Sequence, residues 1–362
     1  MAAVEAHELE TAGPAGPATK GRRRFVGYVA RRLGWAVLLL WIVTIITFAL
    51  SRIIPGDPAT FLAGFGASNE QIEALRRELH LNDPLLTQYW DYLTGLLHGD
   101  LGQSARTGRD VSTDLRTFLP ATFELVLISF VIYLAVAIPL GAWTAARRGR
   151  FTDSFVRLIS MISSGVPVFW LAMLLQEGFF SKLGWLPLTG RIDIKESAPP
   201  HVTGFFTIDS LLAGDWSLFW SACEHLVLPV TAIVLTMLAV GLRVTRASVL
   251  QQLGSPYVRT ARGKGLREGR ILREHVMRNS LNPVISMAGL QFGYLLSWIV
   301  LVETVFQWPG IGLYAFTSFE ALDYAPIMSL TLVISFFFIL VNLVTDLLYP
   351  VFDPRLRDRG RR

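Results

Sequence analysis

The sequence predicts an all-α integral membrane protein with about six transmembrane helices, and three observations carry that prediction. Hydrophobic residues make up 52% of the 362 positions, and the mean hydropathy of +0.45 lies above what a soluble domain of this size carries. Six apolar stretches, at 33–50, 125–146, 158–180, 226–242, 284–306 and 327–349, are long enough to cross a hydrocarbon layer of about 30 Å as helices. None of them alternates in polarity as a strand of a membrane barrel would.

The elements follow in chain order. Residues 1–24 are rich in Ala, Gly, Pro and Glu and have no apolar face, which predicts a disordered tail. The first transmembrane helix is expected at 25–52. Arg22, Arg23, Arg24, Arg31 and Arg32 suggest a secretory or twin-arginine signal, but the apolar run is too long and no A-x-A site follows, so an uncleaved anchor is the better reading. The connection at 53–121 is too long for a passive linker. Within it Ser68-Asn69-Glu70-Gln71 reads as a capping box, Ile72, Leu75 and Leu79 form a stripe, and Asn82-Asp83-Pro84 stops the helix. Leu85, Leu86, Tyr89, Trp90, Leu93, Leu96 and Leu97 then repeat at helical spacing before Gly99, which suits a helix lying on the membrane or docking a partner. The transmembrane domain proper is expected at 122–350, with long connections at 181–225 and 243–283, and a basic tail at 351–362.

Basic residues set the expected orientation. Of the 33 Lys and Arg, 24 fall in the N-terminal tail, the connection after the second helix, the 243–283 loop and the C-terminal tail, against 9 in the other three connections. Lys and Arg accumulate on the cytoplasmic side, so both termini and the 243–283 loop are expected there, with 53–121, 181–225 and 307–326 outward. Nucleic-acid binding is the other use of a basic patch, but the stacking aromatics are missing and membrane lipid head groups explain the charge more simply.

Reactive constellations are missing as well. There is no H-E-x-x-H and no G-x-S-x-G, and the six His are scattered. Gly263-Lys264-Gly265 lacks the earlier Gly and the following Ser or Thr of a phosphate-binding loop, so the chain is not expected to hydrolyse ATP. The single cysteine, Cys223, has no CxxC or His cluster beside it. Polar residues within the apolar stretches are the remaining signal. Glu124, Glu177 and Glu303 fall near the outward ends of the second, third and fifth helices, and Asp346 near the inner end of the sixth. Such carboxylates could attract a cationic group such as a peptide amino terminus, or simply reach water. Gln291 and Asn342 lie deeper and read as interhelical hydrogen-bonding groups; with the three glutamates they form the candidate translocation-pathway set. Gly289 and Gly293 make a GxxxG that permits close helix approach.

The loop at 243–283 carries nine basic residues and is patterned. Tyr257 to Arg262 reads as a short helix after Pro256, broken by Gly263 and Gly265, and Leu266 to Met277 as a second, with Ile271, Leu272, His275 and Val276 on one side. Two short helices joined at glycine make a rigid projection, which a membrane subunit needs if a cytoplasmic motor is to move its spans.

YVRTARGKGL, at 257–266, resembles the cytoplasmic loop of permease subunits of ATP-binding-cassette importers, in the dipeptide and oligopeptide (peptide/nickel) branch and its B-type permease. Further pieces similar to that family run along the chain in order: IIPGDPA at 53–59, HGDLGQSARTGRDV at 98–111, IPLGAWTAARRGRFTDSFVR at 138–157, GVPVFWLAMLL at 165–175, HLVLPV at 225–230, ETVFQWPGIG at 303–312 and VNLVTDLLYPVFDPRLR at 341–357. The resemblance implies an importer-type fold in a bacterial plasma membrane, forming half of a pathway with a second homologous permease. It also implies two cytoplasmic ATPase subunits, which hold ATP and magnesium, and an extracytoplasmic substrate-binding protein. Tyr257, Val258, Arg259, Thr260, Ala261, Gly265 and Leu266 would form the ATPase-coupling stretch, with no metal or cofactor on this chain. Arg259, Thr260 and Ala261 stand where the broad family has Glu-Ala-Ala, a variant common in the peptide branch. Gly263 stands where that branch usually has Ala, and Ser255-Pro256 where an acidic residue is common, which implies a softer helix. Peptides are the substrate the resemblance implies, with nickel complexes or oligosaccharides as alternatives. From other classes, an ATP-independent channel or secondary transporter would need central charges or broken repeats; a membrane enzyme lacks its constellation, and a scaffold gives the patterned loop no purpose.

Overall fold

The computed structural model describes residues 17–53, 58–64, 66–78 and 80–352, so the outer parts of both expected tails, 1–16 and 353–362, lie outside the described residues. Helix α1, Pro17–Ile53, starts ahead of the expected position 25. Pro17 suits a first helical position, and no breaker separates it from the apolar run except Gly21 and Gly27. Three short helices follow: α2 (Pro58–Ala63), α3 (Asn69–Glu78) and α4 (Leu85–Leu97). The capping box forms as read: Gln71 N–H donates to Ser68 Oγ at 3.3 Å, and Ser68 N–H to Gln71 Oε1 at 2.8 Å.

The long spans extend well past the apolar stretches. Helix α5, Val111–Ala146, takes up the last part of the connection expected at 53–121. The third span is two helices rather than one. Helix α6 (Phe151–Gly165) and α7 (Val168–Leu175), continued by a π-helical turn over Gln176–Lys182, are bent by 105°. Pro167 has no N–H to donate and forces Val166 into an extended conformation, ψ 124°. Helix α8 (Phe206–Ala213) precedes α9 (Trp216–Leu253), whose first turn is capped by Asp215 accepting from Leu218 N–H at 3.0 Å. Helix α10 (Pro256–Gly263) is followed by α11 (Glu268–Arg270), a π-helical stretch (Ile271–Val276) and α12 (Met277–Phe306). These last three run together over Glu268–Phe306, so the second short helix expected at 266–277 is the root of the fifth span. Helices α13 (Ile311–Glu320) and α14 (Tyr324–Phe352) complete the chain.

Helix α9 is the centre of the bundle, packing against α5, α6, α7, α8 and α12. Leu125 and Tyr133 of α5, Ala172 of α7, Ile233 and Met237 of α9 and Leu295 and Ile299 of α12 fill the core. Gly293 lets the Phe338 ring of α14 come against α12, where a Cβ would meet it at 2.9 Å. Helix α1 packs on α14 and leaves Trp35, Val37, Trp41 and Ile46 exposed. Apolar side chains facing outward along a span are what lipid contact requires. One end of the bundle gathers α2–α4 and the 98–110, 183–215 and 307–323 connections, and is called here the cap end. The other carries α10.

Candidate coupling site and its counterpart at the cap

Helix α10 is short, opens with Pro256 at its first turn, and leaves through Lys264 and Gly265, the latter in the left-handed region at φ 79°. Its two faces differ. Val258 and Ala261 are buried with Ala142 and Ala145 of α5, Val249 of α9, and Ile271 and Val276 at the root of α12. Residues of three spans thus share one apolar cluster with α10. Full burial of a side chain such as Val258 is worth about 1.5–3 kcal/mol. The seat is tightened by Ser248 Oγ of α9, which donates to the Ser280 carbonyl at 2.8 Å, and by Leu266 leaning on the same cluster. Tyr257, Arg259, Thr260 and Lys264 face outward. Arg262 holds Glu268 at 2.6 and 3.1 Å across the glycine turn, and Tyr257 donates to Gln252 Oε1 at 2.9 Å. The Glu268 carboxylate beside it raises the Arg262 guanidinium above its ordinary value. Nearby, Arg246 of α9 grips Asp153 of α6 at 2.8 and 2.9 Å and so ties the third span to the same end.

The expected coupling stretch is therefore divided. Tyr257, Arg259 and Thr260 present a surface, Val258 and Ala261 bind it to the chain's own spans, and Gly265 and Leu266 form the exit. Ala261, one turn after Val258, falls on the buried stripe of this eight-residue helix.

The cap end is built by buried charge. Glu303, fully buried at the end of α12, accepts from Thr122 Oγ at 2.6 Å, Gly312 N–H at 2.7 Å and Leu313 N–H at 3.1 Å. Its carboxylate thus caps α13, whose first N–H groups have no helical partner. Thr122 Oγ in turn accepts from Ile311 N–H at 2.8 Å. Gly310 is required by this turn, because a Cβ there would strike the Glu303 carboxylate and the Thr122 hydroxyl. Trp308 donates its indole N–H to the Ala121 carbonyl at 2.9 Å, fixing the loop to α5.

Beside it, Arg191 from the 183–205 segment pairs with Glu124 of α5 at 2.5 Å and donates to the Gly204 carbonyl at 2.8 Å. Its guanidinium lies over the Phe206 ring, 3.6 Å from the centroid. Burial draws Arg191 below its ordinary pKa, and Glu124 works against that. The other Glu124 oxygen accepts from Thr207 N–H at 2.8 Å and Thr207 Oγ at 2.6 Å. Asp209 closes the same segment by accepting from the N–H groups of Val202, Thr203 and Gly204 and from the Thr203 hydroxyl. A third knot joins 98–111 to α13 and α14. Asp323 accepts from Ser104 Oγ at 2.6 Å and from Ala105 and Arg106 N–H at 3.1 Å. Asp114 takes the Thr107 hydroxyl at 2.8 Å, the Tyr314 hydroxyl at 2.9 Å and the Arg109 guanidinium at 2.8 Å.

The candidate pathway residues scatter. Glu124 and Glu303 are not rim groups open to solvent but interior groups with partners in this chain. Glu177 is exposed, 3.7 Å from Lys182. Gln291 of α12 is buried in the bundle beside the Tyr133 hydroxyl of α5. Asn342 donates to the Phe338 carbonyl of its own helix at 2.9 Å. The side chain of Asp346 lies outside the described residues. Arg191, Thr122 and Asp323 went unread because nothing local marks them: their partners lie 67, 181 and 219 positions away. Asp323 and Asp114 each touch the HGDLGQSARTGRDV motif, the one signal that could have found them.

The bundle thus combines apolar helices long enough to cross a membrane, one bent pair and a short two-faced helix at one end. The chain belongs to the family described as binding-protein-dependent transport system inner membrane component, whose model matches residues 137–358, and the N-terminal model of the same system matches residues 25–126. It is 42% identical over 92% of its length to the "Probable D,D-dipeptide transport system permease protein DdpB" of Escherichia coli, covering 98% of that protein. It is 40% identical over 92% of its length to the di/tripeptide transport system permease protein DppB of Pseudomonas aeruginosa, covering 99% of it. Against the glutathione transport system permease protein GsiC of Escherichia coli it is 35% identical over 92% of this chain and 99% of that one. A chain of the MetNI methionine ABC transporter, in inward-facing form, is 14% identical with a TM-score of 0.47, over 64% of this chain and 93% of that one.

Proposed function

We propose that the chain is the permease subunit of an ATP-driven importer of short peptides, forming half of the pathway beside a second, homologous permease. The relatives named for dipeptides, di/tripeptides and glutathione support a peptide substrate. Two cytoplasmic ATPases supply the energy, and ATP and magnesium bind to them; this chain performs no chemistry. A binding protein brings the peptide to the cap end. The excess of Lys and Arg at the α10 end supports an orientation with both termini in the cytoplasm.

The observation that carries this reading is the two-faced α10. Its surface of Tyr257, Arg259 and Thr260 suits a groove on an ATPase, and its inner stripe packs on the root of α12 within a cluster that includes residues of α5 and α9. Closure of the ATPase pair would displace α10, and the displacement would reach three spans at once instead of being absorbed by a loose loop. Coupling is mechanical, and the exposed bases meet carboxylates of the ATPase or anionic head groups. Purification of the tagged protein from its own membranes in mild detergent, followed by mass spectrometry, is the test. A homologous permease, ATPases with phosphate-binding loops and a peptide-loaded binding protein are expected. A stable preparation of this chain alone would move the reading to an ATP-independent channel.

A further inference from the structure

Among the described residues, helix α4 meets α1 through one face. Its Tyr89 hydroxyl meets Thr44 Oγ at 2.9 Å, and its Tyr89 and Tyr92 rings lie 5.4 and 5.9 Å from the Phe48 ring. These partners fall within little more than one turn of α1, so α4 crosses α1 rather than running beside it. Thr44 and Phe48 belong to the apolar span Val29–Arg52. At about 1.5 Å per residue they lie roughly 6–12 Å short of Arg52, the depth at which head groups give way to acyl chains.

Around the axis of α4 the side chains sort into three faces. Tyr89 and Tyr92 face α1. Thr87, Asp91 and Thr94 lie on the opposite side. Between them Leu86, Trp90, Leu93 and Leu97 recur at helical spacing, and Leu86, Trp90 and Leu97 are 79%, 62% and 80% exposed. No charge interrupts this stripe, and α1 exposes Trp41 and Ile45 on the flank of the face that carries Thr44 and Phe48. The apolar surface of the span therefore continues onto α4 at the same depth.

We infer that α4 is an in-plane membrane anchor, dipping the Leu86–Leu97 stripe into the acyl chains of the cap-end leaflet while Thr87, Asp91 and Thr94 stay in water. A tryptophan and leucines at the boundary, with polar groups turned away from them, are what such a helix needs. The inference rests on α1 spanning the bilayer and not on the coupling assignment. Anchored this way, α4 holds α3 and the 98–110 segment at a fixed height above the membrane.

The test uses the complete transporter in lipid nanodiscs. In a Cys223→Ser background, nitroxide labels are attached through L86C, T87C, W90C, D91C, T94C and L97C, and accessibility to oxygen and to a water-soluble nickel chelate is compared. Positions 86, 90 and 97 are expected to favour oxygen, and 87, 91 and 94 the nickel chelate. Nickel access at all six places the helix in water and overturns the inference. Closure of 86, 90 and 97 to both reagents means that a protein covers the stripe, which also overturns it. Unlabelled protein gives a second readout: the fluorescence difference between the parent and Trp90→Phe should fall at least twofold in acyl-brominated lipid, and an unchanged difference contradicts the proposal.

Discussion

The two ends of the bundle are held by opposite kinds of force. At the cap, Glu303, Glu124, Asp114 and Asp323 are buried and accept directional hydrogen bonds from distant parts of the chain, and buried Asp209 does the same within its own segment. At the other end α10 is seated on an apolar cluster, and its ion pair, Arg262 with Glu268, is exposed. Directional bonds around a buried charge allow one geometry and penalise every other, because a stranded polar group costs more than the bond contributes. Apolar contacts tolerate small displacements. A rigid platform at one end and an adjustable seat at the other fit a transporter that receives cargo on a fixed surface and is driven by a moving one.

The comparison breaks most severely at Glu303. Glu303→Leu strands Thr122 and two N–H groups of α13, and should cost roughly 3–5 kcal/mol. Thermal melting of the purified protein in detergent should show the largest loss of any cap variant; Glu303→Gln, which keeps an acceptor, should lose less. Next comes Arg191→Met, which leaves Glu124 buried without its cation, at a cost of about 3 kcal/mol or more. If the pair acts as a specificity device rather than a source of stability, the double variant Arg191→Met, Glu124→Leu should melt above the single one. A double variant less stable than Arg191→Met would contradict that.

At the other end effects on stability should be smaller and effects on coupling larger. Val258→Ala removes two methyl groups from the seat and should cost about 1.5 kcal/mol, with partial loss of ATPase stimulation in the assembled complex. The smallest effect concerns pH. Burial alone would raise the Asp209 carboxyl, but the Thr203 hydroxyl and the N–H groups of Thr203, Gly204 and Val202 outweigh it and hold the group below its usual range. A depressed carboxylate contributes stability above its unfolded pKa and loses it as pH falls through the folded value. Melting of the parent should therefore decline below about pH 4, and Asp209→Asn should flatten that decline while leaving the neutral melting point slightly lower.

The spans, the capping box at Ser68 and α10 were legible in the sequence because each rests on local periodicity or a local stop. The bend at Val166-Pro167 was also local, but the apolar run masked it: composition reports that a segment suits lipid, not that it is straight. The cap was not legible. Glu124 and Glu303 looked like rim groups since sequence places them near helix ends, and only the folded chain shows Arg191 and the α13 N-terminus arriving from elsewhere to satisfy them. The division of 257–261 into an outer and an inner face follows from helical spacing, which puts Val258 and Ala261 on one side.

The most direct measurement is the ATP hydrolysis of the assembled complex in nanodiscs, stimulated by peptide-loaded binding protein, for Arg259→Glu with Tyr257→Ala. Both residues face outward, so the complex should melt as the parent does, and the stimulation should fall at least tenfold. Parent-like stimulation in a correctly assembled complex would show that α10 is not the site through which the motor moves the spans.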